Sequence, residues 1–184
     1  MEQPQGTELL KQRARAVQTV VSGVGSMKEA LDYAIEITQK QGGSAIAAPA
    51  MGKHASVLGS LCKKNGLSLF TKSLRDHIGA IDTGLTLADW GISETATLAI
   101  DSTSEDVRIA TMLCETHVAV LPESRIVPDT AALEEELTRA FRTAPRYMAF
   151  ISGASRTADI ERVLTIGVHG PRELHLLILE ENRS

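Results

Sequence analysis

Apolar residues recur at helical spacing along much of the chain. The clearest stretch begins at Ser26, which forms an S-x-x-E capping box with Glu29, and it continues until Gly42-Gly43. This pattern predicts an amphipathic helix with one face on the core. Further helices are predicted near residues 57–64, 72–77, 104–114 and 130–141.

Short apolar runs fall between these helices and have the length of buried strands. They lie near residues 44–48, 67–70, 80–88, 95–100, 117–121, 147–151 and 174–179. We expect segments 80–88 and 95–100 to pair closely, and 147–151 to form a central strand. Strands that alternate with helices predict an α/β fold, namely a three-layer α/β/α domain with a mainly parallel sheet.

The first 25 residues differ from the rest, because polar and basic positions precede Val20-Val21 and a glycine-rich stretch at 22–26. This pattern predicts an N-terminal arm or helix over residues 1–25, joined by a flexible hinge. Residues 26–184 are predicted to form a single domain, since 184 residues suit one domain with its own core.

Amino-acid composition limits the kinds of partner that the protein is expected to bind, and the start of the sequence indicates its cellular compartment. Aromatic residues make up 3% of the chain and the net charge is −4, so nucleic acid is an improbable partner. The start of the chain lacks the basic and apolar blocks of a signal peptide, and no apolar run is long enough to span a bilayer. We therefore expect a cytoplasmic protein without a membrane span.

Cysteines and histidines are too few and too scattered for a metal centre. Cys62 and Cys114 are the two cysteines, and they do not form a Cys-x-x-Cys pattern. Two thiolates cannot assemble an iron–sulfur cluster, so any cluster is expected in a partner protein. The five histidines show no metal-ligand spacing either, and no metal or other cofactor is predicted in this chain.

Polar chemistry is densest in two segments of the final third, residues 152–161 and 169–173. We predict that the first segment turns from a strand into a helix capped by Thr157, whose amides attract a carboxylate or phosphate. The predicted binding residues are Ser152, Gly153, Ser155, Arg156, Thr157, Asp159, His169, Gly170 and Arg172. A plainer interpretation also stands, because serines and threonines are ordinary helix caps and His169-Gly-Pro is an ordinary turn.

Three more polar residues are candidates for the same site: Glu94, Thr95 and Ser124. Glu94 and His169 are the candidate proton carriers, although a carboxylate at an exposed turn is equally consistent with the pattern. We expect loops 49–54, 122–125 and 152–159 to share one crevice at the carboxyl ends of the strands. No nucleotide-binding glycine motif is present in the sequence.

Four pieces of the sequence resemble a known family in the order in which the family has them. Segments 88–95, 124–129, 151–161 and 167–172 resemble the lactate-utilisation (LUD) domain family, in its C-type branch. The resemblance implies a fold similar to the ribose-phosphate isomerase and CoA-transferase group. It also implies a role in L-lactate oxidation beside iron–sulfur subunits. Ala96 stands where the family pattern implies glycine.

Three functions therefore remain open from the sequence. The first is an accessory subunit of a lactate-oxidising complex that binds iron–sulfur partners and a small anion, with a homo-oligomer also possible. The second is a stand-alone enzyme that acts on a carboxylated, phosphorylated or CoA-linked metabolite. The third is a binding module that holds an anion without chemistry, for which Arg156 and Arg172 would suffice.

Overall fold

The computed structural model describes residues 6–158, 164–166 and 169–180. The helices are α1 (Gly6–Ala16), α2 (Met27–Lys40), α3 (Ala55–Lys64), α4 (Glu105–Met112) and α5 (Glu134–Thr143). The strands are β1 (Val20–Val24), β2 (Ala45–Ala47), β3 (Ser68–Phe70), β4 (Thr83–Leu87), β5 (Trp90–Ile92), β6 (Thr97–Asp101), β7 (Thr116–Pro122), β8 (Ile126–Val127), β9 (Met148–Ile151), β10 (Arg156–Ala158), β11 (Leu164–Ile166) and β12 (Glu173–Leu179). The helix predicted near 72–77 is a single 3-10 turn, Leu74–His77.

A six-stranded sheet in the order β1-β12-β7-β4-β2-β3 forms the centre of the fold. Every pair of neighbouring strands in it is parallel. Helices follow its strands because parallel neighbours need a crossover connection. The prediction of an α/β fold with a mainly parallel sheet is confirmed.

Alternating side chains divide the core between the two faces of this sheet. On β7, Val118 and Val120 face the cluster beneath α2 and α3, whereas Ala119 and Leu121 face the opposite cluster. All four are fully buried. A central strand of a parallel sheet is covered on both faces, so a continuous apolar run such as 117–121 is the expected sequence signal.

A second sheet covers part of the opposite face, with the order β8-β5-β6-β9. Two predictions about pairing are therefore wrong. β4 does not pair with β6 but lies in the main sheet, and β9 is not a central strand of that sheet but pairs antiparallel with β6 at an edge. Leu98 and Ile100 of β6 are buried against the residues of β7 and β12 that face this side.

The prediction of a flexible hinge at residues 22–26 is wrong, because residues 20–24 form β1. This edge strand pairs with β12 over five residues, from Val20 opposite His175 to Val24 opposite Leu179. α1 packs between the two sheets, where Leu10 and Ala14 are completely buried. The glycine within this strand is thus accompanied by three valines, which are β-branched residues typical of strands.

The start of α2 agrees with the prediction from the capping box. The backbone N–H of Glu29 donates to the Ser26 hydroxyl over 3.2 Å, and the Glu29 carboxylate accepts from the Gly25 N–H over 2.8 Å. Both bonds satisfy amides that the first turn of a helix leaves without a partner.

α4 lies very close to the main sheet at Gly84 of β4. A methyl group added at Gly84 would lie 1.9 Å from the carbonyl oxygen of Ala110 and 3.0 Å from the Sγ of Cys114. Glycine is therefore required here by the backbone of the neighbouring helix. The same helix contributes its last turn to the loop region described below.

Residues 156–158 form a strand, and the predicted helix capped by Thr157 is wrong. β10 pairs antiparallel with β11, with Arg156 opposite Ile166 and Thr157 opposite Thr165. Consequently there is no helix N-terminus at Thr157 to attract an anion.

Among the described helices, none combines the length and apolar character needed to cross a membrane.

Candidate functional site

The loop before β10 and the loop before β12 line an open cavity of about 440 Å³. Residues 152–156 form one wall and residues 169–171 form another. Val17, which follows α1, and the end of α4 complete the lining. The cavity thus lies where three separate parts of the chain meet.

Backbone contacts hold the two loops together. The Ser155 N–H donates to the Pro171 carbonyl oxygen over 2.9 Å. Gly153 has a φ of +76°, and a methyl group there would lie 2.8 Å from the Val17 carbonyl oxygen. A side chain at Gly153 would therefore meet both backbone strain and the end of α1.

Two polar side chains that line this cavity form hydrogen bonds to other parts of the chain. The guanidinium of Arg156 donates to the Val17 carbonyl oxygen, which joins the loop to the end of α1. The Ser152 hydroxyl is 2.6 Å from the Thr97 hydroxyl, and that hydroxyl is 2.7 Å from the hydroxyl of Thr95. This chain of hydroxyl groups connects the cavity with the turn between β5 and β6.

Six of the predicted residues line the cavity: Ser152, Gly153, Ser155, Arg156, His169 and Gly170. Arg172 does not. It lines a neighbouring depression of about 370 Å³, where its Nε forms an ion pair with Glu115 over 3.0 Å. Asp159 lies outside the described residues, and Thr157 is placed only as a backbone position in β10.

Glu94, Thr95 and Ser124 do not line the cavity. Glu94 is exposed in the β5–β6 turn, where its N–H donates to the Pro128 carbonyl oxygen over 3.0 Å. Ser124 follows the carboxyl end of β7, whereas His169 and Gly170 precede the amino end of β12. Because β7 and β12 are parallel, these positions lie at opposite edges of the sheet.

The predicted crevice shared by loops 49–54, 122–125 and 152–159 is therefore wrong. The first two loops follow β2 and β7 at the carboxyl edge of the main sheet. The third follows β9, which belongs to the other sheet, and it is bonded to the segment that enters β12. Six of the predicted binding residues lie instead in the cavity near the amino edge.

Ala96 adopts a left-handed backbone conformation with a φ of +52° at the end of the β5–β6 turn. This geometry favours glycine, because the Cβ of any other residue crowds the following carbonyl, at a cost of about 1 kcal/mol. It gives a physical reason for the glycine that the family pattern implies at this position. The Ala96 methyl is buried in the core cluster of β6 and β7, which offsets part of that cost.

Two buried histidines lie in the main sheet. His175 lies in β12 and is only 3% exposed. Its Nε2 lies 2.8 Å from the Glu173 carboxylate, which can only accept, so the ring donates there and its Nδ1 accepts from the Tyr33 hydroxyl over 2.7 Å. His117 is 1% exposed, and burial lowers its pKa to about 4.

Both cysteines are buried in apolar clusters. Cys62 packs in the cluster beneath α2 and α3, and Cys114 packs in a cluster on the other face of the sheet. Burial raises the pKa of both thiols, to about 12 for Cys114, so both stay protonated near neutral pH. Within the described ranges, no group of three or more His, Cys, Asp or Glu side chains is placed to hold a metal ion.

Comparison with known proteins identifies the family. The family model described as the LUD domain matches residues 7–179, which is most of the chain. The chain belongs to the LUD domain family. The resemblance predicted from the four sequence pieces is thereby confirmed, and it extends to α1 and β1.

Relatives of this LUD domain carry names that refer to lactate. Lactate utilization protein C 1 of Bacillus mycoides is 32% identical over 105 residues, which are 55% of this chain and 45% of that protein. Lactate utilization protein C of Shouchella clausii is 29% identical over 182 residues, which are 94% of this chain and 78% of that protein. The match to the first relative therefore spans less than half of its length.

A solved structure has the same fold as this LUD domain. The crystal structure of a DUF162 family protein from Deinococcus radiodurans superposes with a TM-score of 0.60 and 17% sequence identity. The alignment covers 97% of this chain and 99% of that chain. At this identity the likeness concerns the fold alone.

Some residues of the cavity were not predicted from the sequence: Val17, Thr111, Met112, Ala154, Phe150, Ile151 and Pro171. Val17 contributes through its backbone carbonyl, and Met112 and Phe150 contribute an apolar rim at 52% and 50% exposure. They share no sequence signal, because they come from distant parts of the chain that meet only in the folded protein. A valine or a methionine at the end of a helix, such as Val17 or Met112, reveals nothing of this in the sequence.

Proposed function

We propose that this LUD domain serves in L-lactate utilisation as an accessory subunit that works with iron–sulfur proteins and binds a small carboxylate in the loop cavity. The names of its relatives, which refer to lactate utilisation, support the proposed role in L-lactate utilisation. The observation that carries the ligand proposal is the convergence of Ser152, Ser155, Arg156 and His169 on one cavity. Hydroxyl groups beside a guanidinium are the groups that bind a carboxylate in proteins.

Arg156 supplies the positive charge of the proposed site. Its guanidinium has five N–H donors in a planar fork, of which one contact goes to the Val17 carbonyl oxygen. The remaining donors suit the two oxygens of a carboxylate. Ser152 and Ser155 then orient the ligand, and His169, which is exposed and also lines the cavity, offers a ring nitrogen to a second polar group of a hydroxy or keto acid.

The proposal predicts that Arg156→Ala lowers the affinity for L-lactate or pyruvate about tenfold, because one charge-assisted bond is lost. The melting temperature should change by less than about 3 °C, since the side chain is exposed. Isothermal titration calorimetry with each acid measures the first quantity, and scanning calorimetry measures the second.

Arg172→Ala is the matched control for this experiment. It removes the same charge a few residues from the cavity, but Arg172 is paired with Glu115 in the neighbouring depression. Affinity should stay unchanged in this variant. Equal losses in both variants would show a general charge effect, and the absence of binding by the parent chain would contradict a carboxylate site in the cavity.

The surface beside the cavity supports the proposal that a partner protein binds there. Met112, Leu113 and Phe150 are between 44% and 52% exposed, so apolar side chains face solvent around the opening. Apolar surface of this kind is typical of contacts between proteins. Electron transfer from lactate requires an iron–sulfur cluster with cysteine ligands. In this proposal the partner protein supplies those ligands, since both thiols of this chain are buried and protonated.

Affinity isolation tests the partner. We expect the tagged chain, isolated gently from cells that grow on L-lactate, to retain an iron–sulfur protein that is visible by its absorbance and iron content. Phe150→Asp should reduce this recovery several-fold, because it places a charge on the apolar rim. Glu36→Gln on the exposed side of α2 is the control and should recover the partner fully. Recovery without any iron-containing protein would contradict the complex.

A further inference from the structure

α5 is an amphipathic helix that lacks a core of its own. None of its ten residues is buried, and Phe141 is 47% exposed. The helix is anchored through Leu133, which directly precedes it and is 1% exposed. Helices of this length are marginal in water unless an apolar face is packed, so α5 requires a packing surface beyond its own turns.

The apolar side chains of α5 form one stripe between two opposite charges. Leu137 and Phe141 are one turn apart and line a groove of about 610 Å³ along the helix. Glu134 and Arg142 line the same groove. At 1.5 Å per residue, these two charges are about 12 Å apart along the helix axis.

The charges of the whole helix follow the same polarity. Glu134, Glu135 and Glu136 occupy the first turn, and Arg139 and Arg142 follow in the second half. None of these five residues takes part in an ion pair within the described part of the chain. An antiparallel copy of the helix, centred on Thr138, would set each Glu134 against the Arg142 of the other copy.

We infer that α5 is the interface through which two copies of this chain form a symmetric dimer. A two-fold axis through Thr138 pairs every contact with its equivalent, as isologous dimers require. Leu137 and Phe141 of both copies form the apolar centre, and the Glu134–Arg142 pairs close both ends. A parallel arrangement would instead bring like charges together, so the charge pattern selects the antiparallel one.

Sedimentation equilibrium of the full chain tests the dimer. One short helix from each copy makes a small interface, so we expect association with a dissociation constant of about 10 µM. The mass should rise from 19.8 kDa to twice that value as the protein concentration passes through this range. Higher salt should weaken the association, because exposed charges close the interface.

Charge reversal decides whether α5 is the contact. Glu134→Arg and Arg142→Glu each oppose like charges across the axis and should raise the dissociation constant at least about tenfold. The double variant Glu134→Arg/Arg142→Glu exchanges the two charges and should restore the dimer. Glu136→Arg is the matched control: it makes the same change about 160° around the helix from Glu134 and should leave the dimer intact.

Three results would overturn the inference. They are a chain that stays monomeric at all concentrations, a dimer that ignores both single reversals, and a dimer that Glu136→Arg weakens as much as Glu134→Arg does. A monomer that holds an iron–sulfur protein through α5 would likewise replace the second copy by a different partner. Circular dichroism of each variant separates a lost interface from a lost helix.

Discussion

Acidification from pH 7 to pH 4 is expected to cost the folded protein about 3 kcal/mol through His117 alone. Burial lowers the pKa of this ring from 6.5 to about 4 in the folded state. The unfolded chain therefore binds a proton through His117 at a higher pH than the folded chain does. Stability contributed by the neutral ring is complete above about pH 6.5, falls as the pH drops towards 4, and changes no further below that value.

The environment of His117 explains why the charged ring is disfavoured. Its Nε2 is 2.8 Å from the Thr86 hydroxyl, while its Nδ1 has no hydrogen-bond partner among the described residues. A protonated ring would have to donate from both nitrogens in a fully buried place. Without a partner for the second donor, the charge adds a desolvation cost that folding must offset.

His117→Gln isolates this effect from the titration of carboxylates. Glutamine keeps a polar group near Thr86 but does not ionise in this range. Urea unfolding at pH 7, 6, 5 and 4 should show a loss that is about 3 kcal/mol smaller in the variant than in the parent protein. Equal losses in both proteins, or an NMR titration of the His117 ring with a midpoint near 6.5, would contradict a buried neutral histidine.

Gly84→Ala is expected to destabilise the protein by about 3 kcal/mol or more. The added methyl would lie 1.9 Å from the Ala110 carbonyl oxygen, and a backbone group cannot move aside as a flexible side chain can. α4 must retreat from β4, which opens the cluster that holds Ile109 and Cys114. For a protein of this size we expect the melting temperature to fall by about 10 °C.

Gly59→Ala is the control for this substitution. Gly59 lies within α3, and the nearest atom to an added methyl is Cδ2 of Leu69 at 3.8 Å, an ordinary contact. Alanine there should stabilise the helix by up to about 1 kcal/mol. Thermal unfolding of both variants measures the contrast, and a Gly84→Ala protein as stable as the parent would show that α4 does not press on β4.

Local patterns were sufficient for the elements whose signals lie within a few residues. The capping box at Ser26 and Glu29 located the start of α2, and the apolar run at 117–121 located β7. Such signals depend on the periodicity of one helix or strand. They locate an element without its partner, which is why the strands 80–88 and 95–100 were predicted to pair although they belong to different sheets.

The loop region shows the same limit for the candidate site. Ser152 and Arg156 were predicted as neighbours in one cluster, and both line the cavity. The predicted helix at Thr157 was wrong because a small polar segment has no periodicity, and its pairing with β11 decides its conformation. Arg172 was predicted to line the same cavity because it is close in sequence. It forms an ion pair instead with Glu115, which is 57 positions earlier, in the neighbouring depression.

The position of β12 between β1 and β7 affects the order in which the strands of the main sheet can pair during synthesis. β1 pairs with β12 and with no other described strand, and β12 separates it from β7. A nascent polypeptide therefore carries β1 without a hydrogen-bonded neighbour until residue 179 has left the exit tunnel. β12 can then insert between β1 and β7, and we expect this long-range step to limit the rate at which the main sheet forms.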